Sequence, residues 1–310
     1  MKLLPILKML RRGAATFGDT LRSALELLAG AGVSLMTGRL APKLPPEIAA
    51  KDALIICPSP LLNQQTINWK HRNDYVIAFL NSACMSPTYL TLKPERYFLI
   101  DPGFFQKLDD TPSMALAIAT IEKTISRIVG VTEWPLTIFV PWHYQNSENA
   151  RRLSGNSHVT ICGIPTFKSI GRHRLIKRLG FRLGILSPVY QNVLSAAIFY
   201  GIKAGHPRVW LWGAHHTWLR DNAVDQKNRV LYAIRHTDNQ IEGQPMFNAD
   251  GTPRHLHVYL RLLATSFEQY HVLNDYANSL NKQIINVTED SYIDAFERSI
   301  RISLFEPSSS

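Results

Sequence analysis

Three features of this chain predict an α/β fold built on a mostly parallel sheet. Short runs rich in β-branched and aromatic residues are apolar from end to end, as strands covered on both faces must be. Between them lie segments with apolar residues at helical spacing. Turn formers such as Asp101-Pro102, Pro141 and the Gly205/Pro207 pair punctuate the alternation. Strand and helix in alternation lay the strands side by side, with helices on both faces of the sheet.

Taken in order, residues 1–40 combine Lys2, Lys8, Arg11, Arg12, Arg22 and Arg39 with leucine-rich stretches. No window reaches the roughly 20 apolar residues that span a bilayer. A secretory leader would need a longer unbroken apolar run and a small-residue cleavage site. On a helix, Leu3, Leu4, Ile6, Leu7 and Leu10 gather toward one side with Lys8, Arg11 and Arg12 beside them. That pattern suits a helix lying in a membrane interface and, equally, an amphipathic helix packed on the domain. Residues 1–48 are therefore set apart as a basic amphipathic arm, closed by Ala41-Pro42-Lys43-Leu44-Pro45-Pro46.

Residues 53–57 (ALIIC), 75–80 (YVIAFL) and 96–100 (RYFLI) read as strands, and 114–129 as a helix. Strands follow at 136–140 (LTIFV) and 158–162. A basic stretch without acidic residues, 151–184, reads as a lid-like insertion or docking segment, against the plainer reading of a solvated helix face. Residues 192–204 form an apolar helix stopped by Gly205, and 208–212 (RVWLW) a strand buried on both faces. A helix over 267–280, a strand over 283–287, a helix beginning near Tyr292 and a tail over 301–310 complete a main domain spanning 49–300.

With 310 residues and 45% hydrophobic composition, the chain supports one main domain with appendages. A net charge of +10 points to anionic partners: nucleic acid, nucleotides or a phospholipid surface. Nucleic acid is set aside, because no helix-turn-helix, zinc finger or RNP-like strand occurs, and Trp210 and Trp212 fall inside a strand. The lack of G-x-x-x-x-G-K-[ST] removes the P-loop class. Cys57, Cys84 and Cys162 show no paired spacing and read as buried thiols of a reducing compartment.

Ligands of open α/β sheets bind at the carboxyl ends of strands. The richest such end is Gly213-Ala214-His215-His216-Thr217-Trp218, with Arg220, Asp221, Asp225 and His236 behind it. Asn81, Asp101, Asn286 and Thr288 close other strands. Any one of these could simply bond its own turn, but their recurrence along one sheet edge favours a shared site. No D-x-D pair occurs to hold a metal, and adjacent His215 and His216 on extended chain point opposite ways, which disfavours joint ligation. His255 and His257 read as a solvated or structural pair.

From about Asp52 to Phe296 this arrangement resembles the bacterial sialyltransferase-like enzymes of glycosyltransferase family forty-two and their relatives in surface-polysaccharide clusters. The resemblance is carried by Cys57-Pro58-Ser59-Pro60 after the first strand, Asn81 after the second, Asp101-Pro102-Gly103-Phe104-Phe105 after the third, and the helix–glycine–strand–crest run from Asn192 to His216. His236 matches the family's later histidine. Departures are a first turn without glycines, His215 where an acidic residue is expected, and no clear counterparts of the tyrosines that family members use near the leaving phosphate.

The resemblance implies a Rossmann-like (variant GT-A) nucleotide-binding domain and a transferase, which the basic arm and the basic 151–184 stretch would hold at the inner face of the cell membrane. Such an enzyme moves a nonulosonic acid, Kdo or related sugar from a CMP donor to a cell-surface glycan or glycolipid, with no cofactor. It implies His236 as general base, with His216 and Asn192 near the departing phosphate. Asn81 and Asp101 then fall on the donor. His215, Trp218, Arg220 and Thr288 contribute further substrate contacts, and Ser291 stands beside Thr288. A base with an unperturbed pKa near 6.5 suits the removal of a hydroxyl proton as the new bond forms. An inactive, glycan-binding relative and a pyrophosphate-transferring enzyme on a related sheet are the rival readings. Self-association into a homo-oligomer stays open.

Overall fold

The computed structural model describes residues 3–37, 50–59, 67–108, 114–220, 222–232, 235–236, 239–240, 244–248 and 251–299. The chain forms two compact units: Met1–Lys43 with Ile164–Tyr190, and Leu44–Gly163 with Gln191–Ser310.

The sheet is built from β1 (Asp52–Ile56), β2 (Tyr75–Leu80), β3 (Arg96–Phe98), β4 (Leu136–Pro141), β5 (Val159–Ile164) and β6 (Arg208–Trp212). Five short strands follow: β7 (Ala223–Val224), β8 (Val230–Tyr232), β9 (Arg235–His236), β10 (Asn239–Gln240) and β11 (Gln244–Pro245). They pair antiparallel outside the main sheet. β12 (Gln283–Asn286) and β13 (Glu297–Arg298) rejoin it, giving an eight-stranded sheet in the order β13-β12-β6-β1-β2-β3-β4-β5. β1 runs parallel to β2, with Asp52 opposite Tyr75, and parallel to β6, with Ile56 opposite Trp212. The β2–β3, β3–β4, β6–β12 and β12–β13 pairs are parallel as well.

This order has one functional consequence. After β1 the chain steps outward through β2 to β5, then returns to the other flank of β1 with β6 and moves away through β12. The connections therefore diverge between β1 and β6, the place where open α/β sheets bind ligands.

Every residue of β1 and β2 is buried, which explains the apolar runs Ala53–Ile56 and Tyr75–Leu80. On one face Phe79, Tyr89 and Tyr97 sit in the core with Trp134, whose ring lies 5.0 Å from that of Tyr89. The Tyr89 hydroxyl meets Thr132 Oγ1 at 2.7 Å, so the core tyrosine is buried without an orphaned polar group. The helices of this unit are α2 (Thr88–Leu92), α3 (Ala115–Val131), α4 (Glu148–Ser154), α6 (Val193–Lys203) and α7 (Leu256–Asn278). α6 is apolar nearly all round, as a helix packed on β1, β2, β3, β6 and α7 requires.

Several boundaries differ from those the sequence predicts. α7 begins eleven residues before 267, because Tyr259, Leu263, Ser266, Tyr270, Leu273 and Ala277 share one buried face. Its first turns pack Tyr259 and Leu263 on Val230 and Met246. His255 and His257 therefore do not lie on a strand; they straddle the start of this helix, exposed, with stacked rings. No helix begins near Tyr292: residues 291–296 are irregular and lead into β13. β6 is not buried throughout, since Arg208 is exposed and Trp210 half-buried. Both hold Asp52 Oδ2, from Arg208 Nε at 2.8 Å and Trp210 Nε1 at 2.9 Å.

In the smaller unit α1 (Leu3–Thr37) packs on α5 (Arg174–Leu183). Among the described residues no helix is long and apolar enough to cross a membrane. The basic run 151–184 is divided. Arg151 and Arg152 lie on α4, where Arg152 Nη1 meets Glu122 Oε2 at 2.8 Å, whereas α5 belongs to the smaller unit. Burial pushes the Cys57 thiol up to about 12 and that of Cys84 to about 11, and Cys162 is half-buried with a raised pKa. These are unreactive packing thiols.

Candidate functional site at the switch point

Two loops meet where β1 and β6 diverge. Cys57 N donates to Trp212 O at 2.9 Å, carrying the ladder one residue past the strands. Gly213 then takes φ +76°, and a Cβ there would stand 2.9 Å from both Cys57 O and Ser59 Cβ. Only glycine lets the two backbones approach this closely. The contact brings Ser59 Oγ to 3.2 Å from His215 Nε2.

The loop after β12 braces this crest. Thr288 Oγ1 accepts from Ala214 N at 2.9 Å, Ser291 Oγ donates to Ala214 O at 2.6 Å, and Tyr292 N donates to His215 O at 2.8 Å. Asn286 holds the brace by accepting from Thr288 N and donating to Ser291 Oγ, each at 3.0 Å. The Arg298 guanidinium binds the carbonyls of Thr288, Ser291 and Ile293. Thr288 and Ser291, expected in the cleft or at a helix start, thus spend their hydroxyls on positioning the histidine loop.

The two histidines have separate surroundings. His215 is half-buried, and desolvation lowers its pKa, opposed by a hydrogen bond to the Glu289 backbone and by the Asp290 carboxylate. His216 sits at φ +49°, with Nδ1 2.9 Å from the Tyr270 hydroxyl and its ring stacked on Trp218 at 4.0 Å. Crowding around the ring, with His215 beside it, pushes its pKa down to about 3. It is neutral at physiological pH. The two rings face different elements, His215 toward Ser59 and His216 toward Tyr270 and Trp218, with the left-handed backbone at His216 turning the chain between them.

α6 runs back from β5 toward β6, so its first turn lies at the carboxyl edge of the sheet. Asn192 caps it, Oδ1 accepting from Ser195 N at 3.0 Å. The amide Nδ2 of Asn192 is buried, and its interaction with the Tyr270 hydroxyl falls short of a full hydrogen bond. Asn192 and Ser195 also flank Tyr270, whose phenol is pushed far up by burial, an effect these two polar groups oppose. On the other flank Asn81, directly after β2, adopts φ +45°, and its Oδ1 is likewise buried and unpartnered. Tyr97 OH holds the Asn81 carbonyl, which fixes that turn.

No family model matches the chain, and no curated protein matches it. Among solved structures it is similar to the MAf glycosyltransferase of Magnetospirillum magneticum AMB-1, at 12% identity and a TM-score of 0.38 over 82% of this chain. The chain spans about a third of that protein, 35% of its length.

Of the residues singled out in the sequence, His215, His216, Trp218 and Asn192 gather around the crest, linked through Tyr270. Arg220 stands beside them, its guanidinium 5.9 Å from the centre of the Tyr292 ring. Asp101 does something else: Oδ1 accepts from Gly103 N at 2.8 Å to cap a short 3-10 turn, and its charge lies near Tyr144. His236 is in β9, paired with Asn239, and its side chain lies outside the described residues, as does Asp221. Asp225 turns to Arg229 at 2.7 Å. The sequence assigns no site role to Ser59 or Tyr270. Ser59 enters only as part of the Cys57-Pro58-Ser59-Pro60 turn, and Tyr270 at a helical core position reads as packing.

Proposed function

We propose that this chain is a glycosyltransferase that binds a CMP-activated sugar between the ends of β1 and β6 and transfers the sugar to a hydroxyl of a surface glycan or glycolipid. One observation carries the reading: Ser59 and His215 meet at the switch point, the buried Asn81 Oδ1 has no hydrogen-bond partner, and the buried Asn192 Nδ2 has only a weak interaction with the Tyr270 hydroxyl. A buried polar group left unpaired costs about 1–3 kcal/mol, and such groups persist where a ligand supplies the missing bond. The resemblance of residues 52–296 to family forty-two supports the choice of donor.

In the proposed reaction the acceptor oxygen attacks the anomeric carbon. The bond from that carbon to the phosphate oxygen breaks, and CMP leaves with the electron pair. The acceptor proton passes to an imidazole. The crevice favours His215, which is neutral and oriented by the Glu289 backbone, with the acceptor hydroxyl taking the place of Ser59 Oγ at Nε2. His236, expected from the resemblance, is the second candidate base. The first turn of α6 and the Arg220 guanidinium supply positive potential for the leaving phosphate. His216 is too weakly basic for proton transfer and, with Trp218 and Tyr270, forms a wall.

Calorimetry with CMP and CMP release from CMP-sugars test this. Asn192→Ser keeps a capping side chain but removes the amide donor, so CMP binding should weaken about tenfold with stability little changed. His215→Ala should leave CMP binding nearly intact and lower acceptor-dependent CMP release by about 10² to 10⁴. Lack of CMP binding, or release that survives both His215→Ala and His236→Ala, overturns the proposal.

A further inference from the structure

The smaller unit carries the protein's whole excess of positive charge. Met1–Lys43 and Ile164–Tyr190 hold thirteen of the 34 Lys and Arg but only two of the 24 Asp and Glu, leaving 21 against 22 in the rest of the chain. Within this unit the packing is inverted relative to an ordinary amphipathic pair. α1 turns Ser23 and Gly30 inward, and Phe17, Leu21, Leu25, Leu28 and Leu35 form one helical row facing solvent. Phe17 is 71% exposed, Leu28 69% and Leu35 85%.

α5 repeats the pattern over ten residues. Gly180 and Phe181 are buried, and Leu175, Leu179 and Leu183, spaced four apart, are exposed, Leu175 by 69%. Arg174, Arg178 and Arg182 form the adjoining row at the same spacing, and α5 has no acidic residue. The inward face is held by polar contacts instead. Glu26 carboxylate oxygens accept from Ile170 N and Gly171 N at 3.0 Å, and Ser23 Oγ accepts from His173 N at 3.2 Å. A Cβ on Gly171 would stand 2.2 Å from Ser23 Oγ. The fold thus packs Gly30 and Gly180 on the buried Leu186, with Phe181 beside it, and leaves Leu21, Leu25, Leu28, Leu35, Leu175, Leu179 and Leu183 exposed.

We propose that this two-helix unit is a docking element for an anionic lipid surface, with the exposed rows of α1 and α5 entering the acyl boundary and the flanking Arg and Lys on the headgroups. Charge complementarity selects this occupant: an apolar row edged by arginines matches an interface that is oily below and anionic above. The inference is independent of the proposed glycosyl transfer.

The full chain would be floated with vesicles of phosphatidylcholine alone and of equimolar phosphatidylcholine and phosphatidylglycerol. Binding is expected to the mixed vesicles, weakening with added salt. Leu175→Ser with Leu179→Ser, both on the exposed row, should lower partitioning about 100-fold, from roughly 1.5 kcal/mol for each buried leucine. Arg174→Ser with Arg178→Ser should lower it about tenfold or more, and Lys70→Ser in the larger unit should not. Equal binding to neutral vesicles, no binding, or leucine variants that change only self-association by sedimentation would each overturn the proposal. Preferential binding of the unit's charge to a DNA duplex, with no lipid binding, would do so too.

Discussion

At the scale of the residue, histidine burial makes this protein sensitive to mild acid. His206, 2% exposed, donates from Nδ1 to Lys51 O at 2.6 Å, and desolvation lowers its pKa. His215 is lowered for the same first reason, and His216 is pushed down to about 3. Unfolding returns each to an ordinary value near 6.5, so below that pH the unfolded chain binds protons that the folded chain refuses. Stability is therefore full above about pH 6.5 and lost as pH falls from there toward the folded-state values. Each such histidine steepens the fall by up to about 1.4 kcal/mol per pH unit. Denaturant titrations between pH 7 and 5 should show the decline, with a shallower slope in His216→Asn; parallel slopes would contradict the burial of that ring. The sequence made His216 visible through its doublet and its place after a strand. It could not show that the lower neighbour would be a tyrosine from α7, because Tyr270 is brought there by the tertiary fold alone.

Among the elements, one carboxylate holds two backbone groups of the clasp between α1 and the 164–190 segment, beside the Ser23 contact to His173 N. Glu26 is 15% exposed and satisfies two backbone N–H groups that have no strand or helix to pair with. Removing it orphans both, at about 1–3 kcal/mol. Glu26→Ala should then speed hydrogen exchange at the Ile170 and Gly171 amides by about ten- to a hundredfold and leave the β2 amides unchanged. Exchange unaltered at 170 and 171 would show that the clasp holds nothing. Nothing in the order of residues signals this pairing, since Glu26 lies 144 residues from Ile170. β2 is the opposite case: YVIAFL is apolar throughout, and its bounds match the strand, because burial on both faces writes itself into every position. α7 was half legible, its first turns concealed by exposed His257 and Arg261 on the face away from Tyr259 and Leu263.

For the whole molecule, a parallel sheet was readable from local runs, whereas the strand order that creates the β1–β6 switch point depends on which flank of β1 the chain returns to. Composition likewise reports only a net charge of +10 and hides its segregation, which appears once Ile164–Tyr190 is seen to pack with Met1–Lys43. That segregation sets apart the two proposed anion-binding behaviours, nucleotide binding and lipid docking. The larger unit is close to neutral overall, so CMP binding should depend on hydrogen bonds and a few local charges within a crevice. Lipid docking should depend on many exposed cations, whose field is cut off within a Debye length of about 8 Å at physiological salt. Raising ionic strength from about 0.05 M to 0.5 M should therefore change the CMP dissociation constant by less than about threefold, and lower partitioning onto mixed vesicles by more than about tenfold. Calorimetry and flotation on the same preparation decide this. If both fall together, the nucleotide is being held by the basic unit rather than by Asn81, Asn192 and His215, and the crevice loses its assigned role.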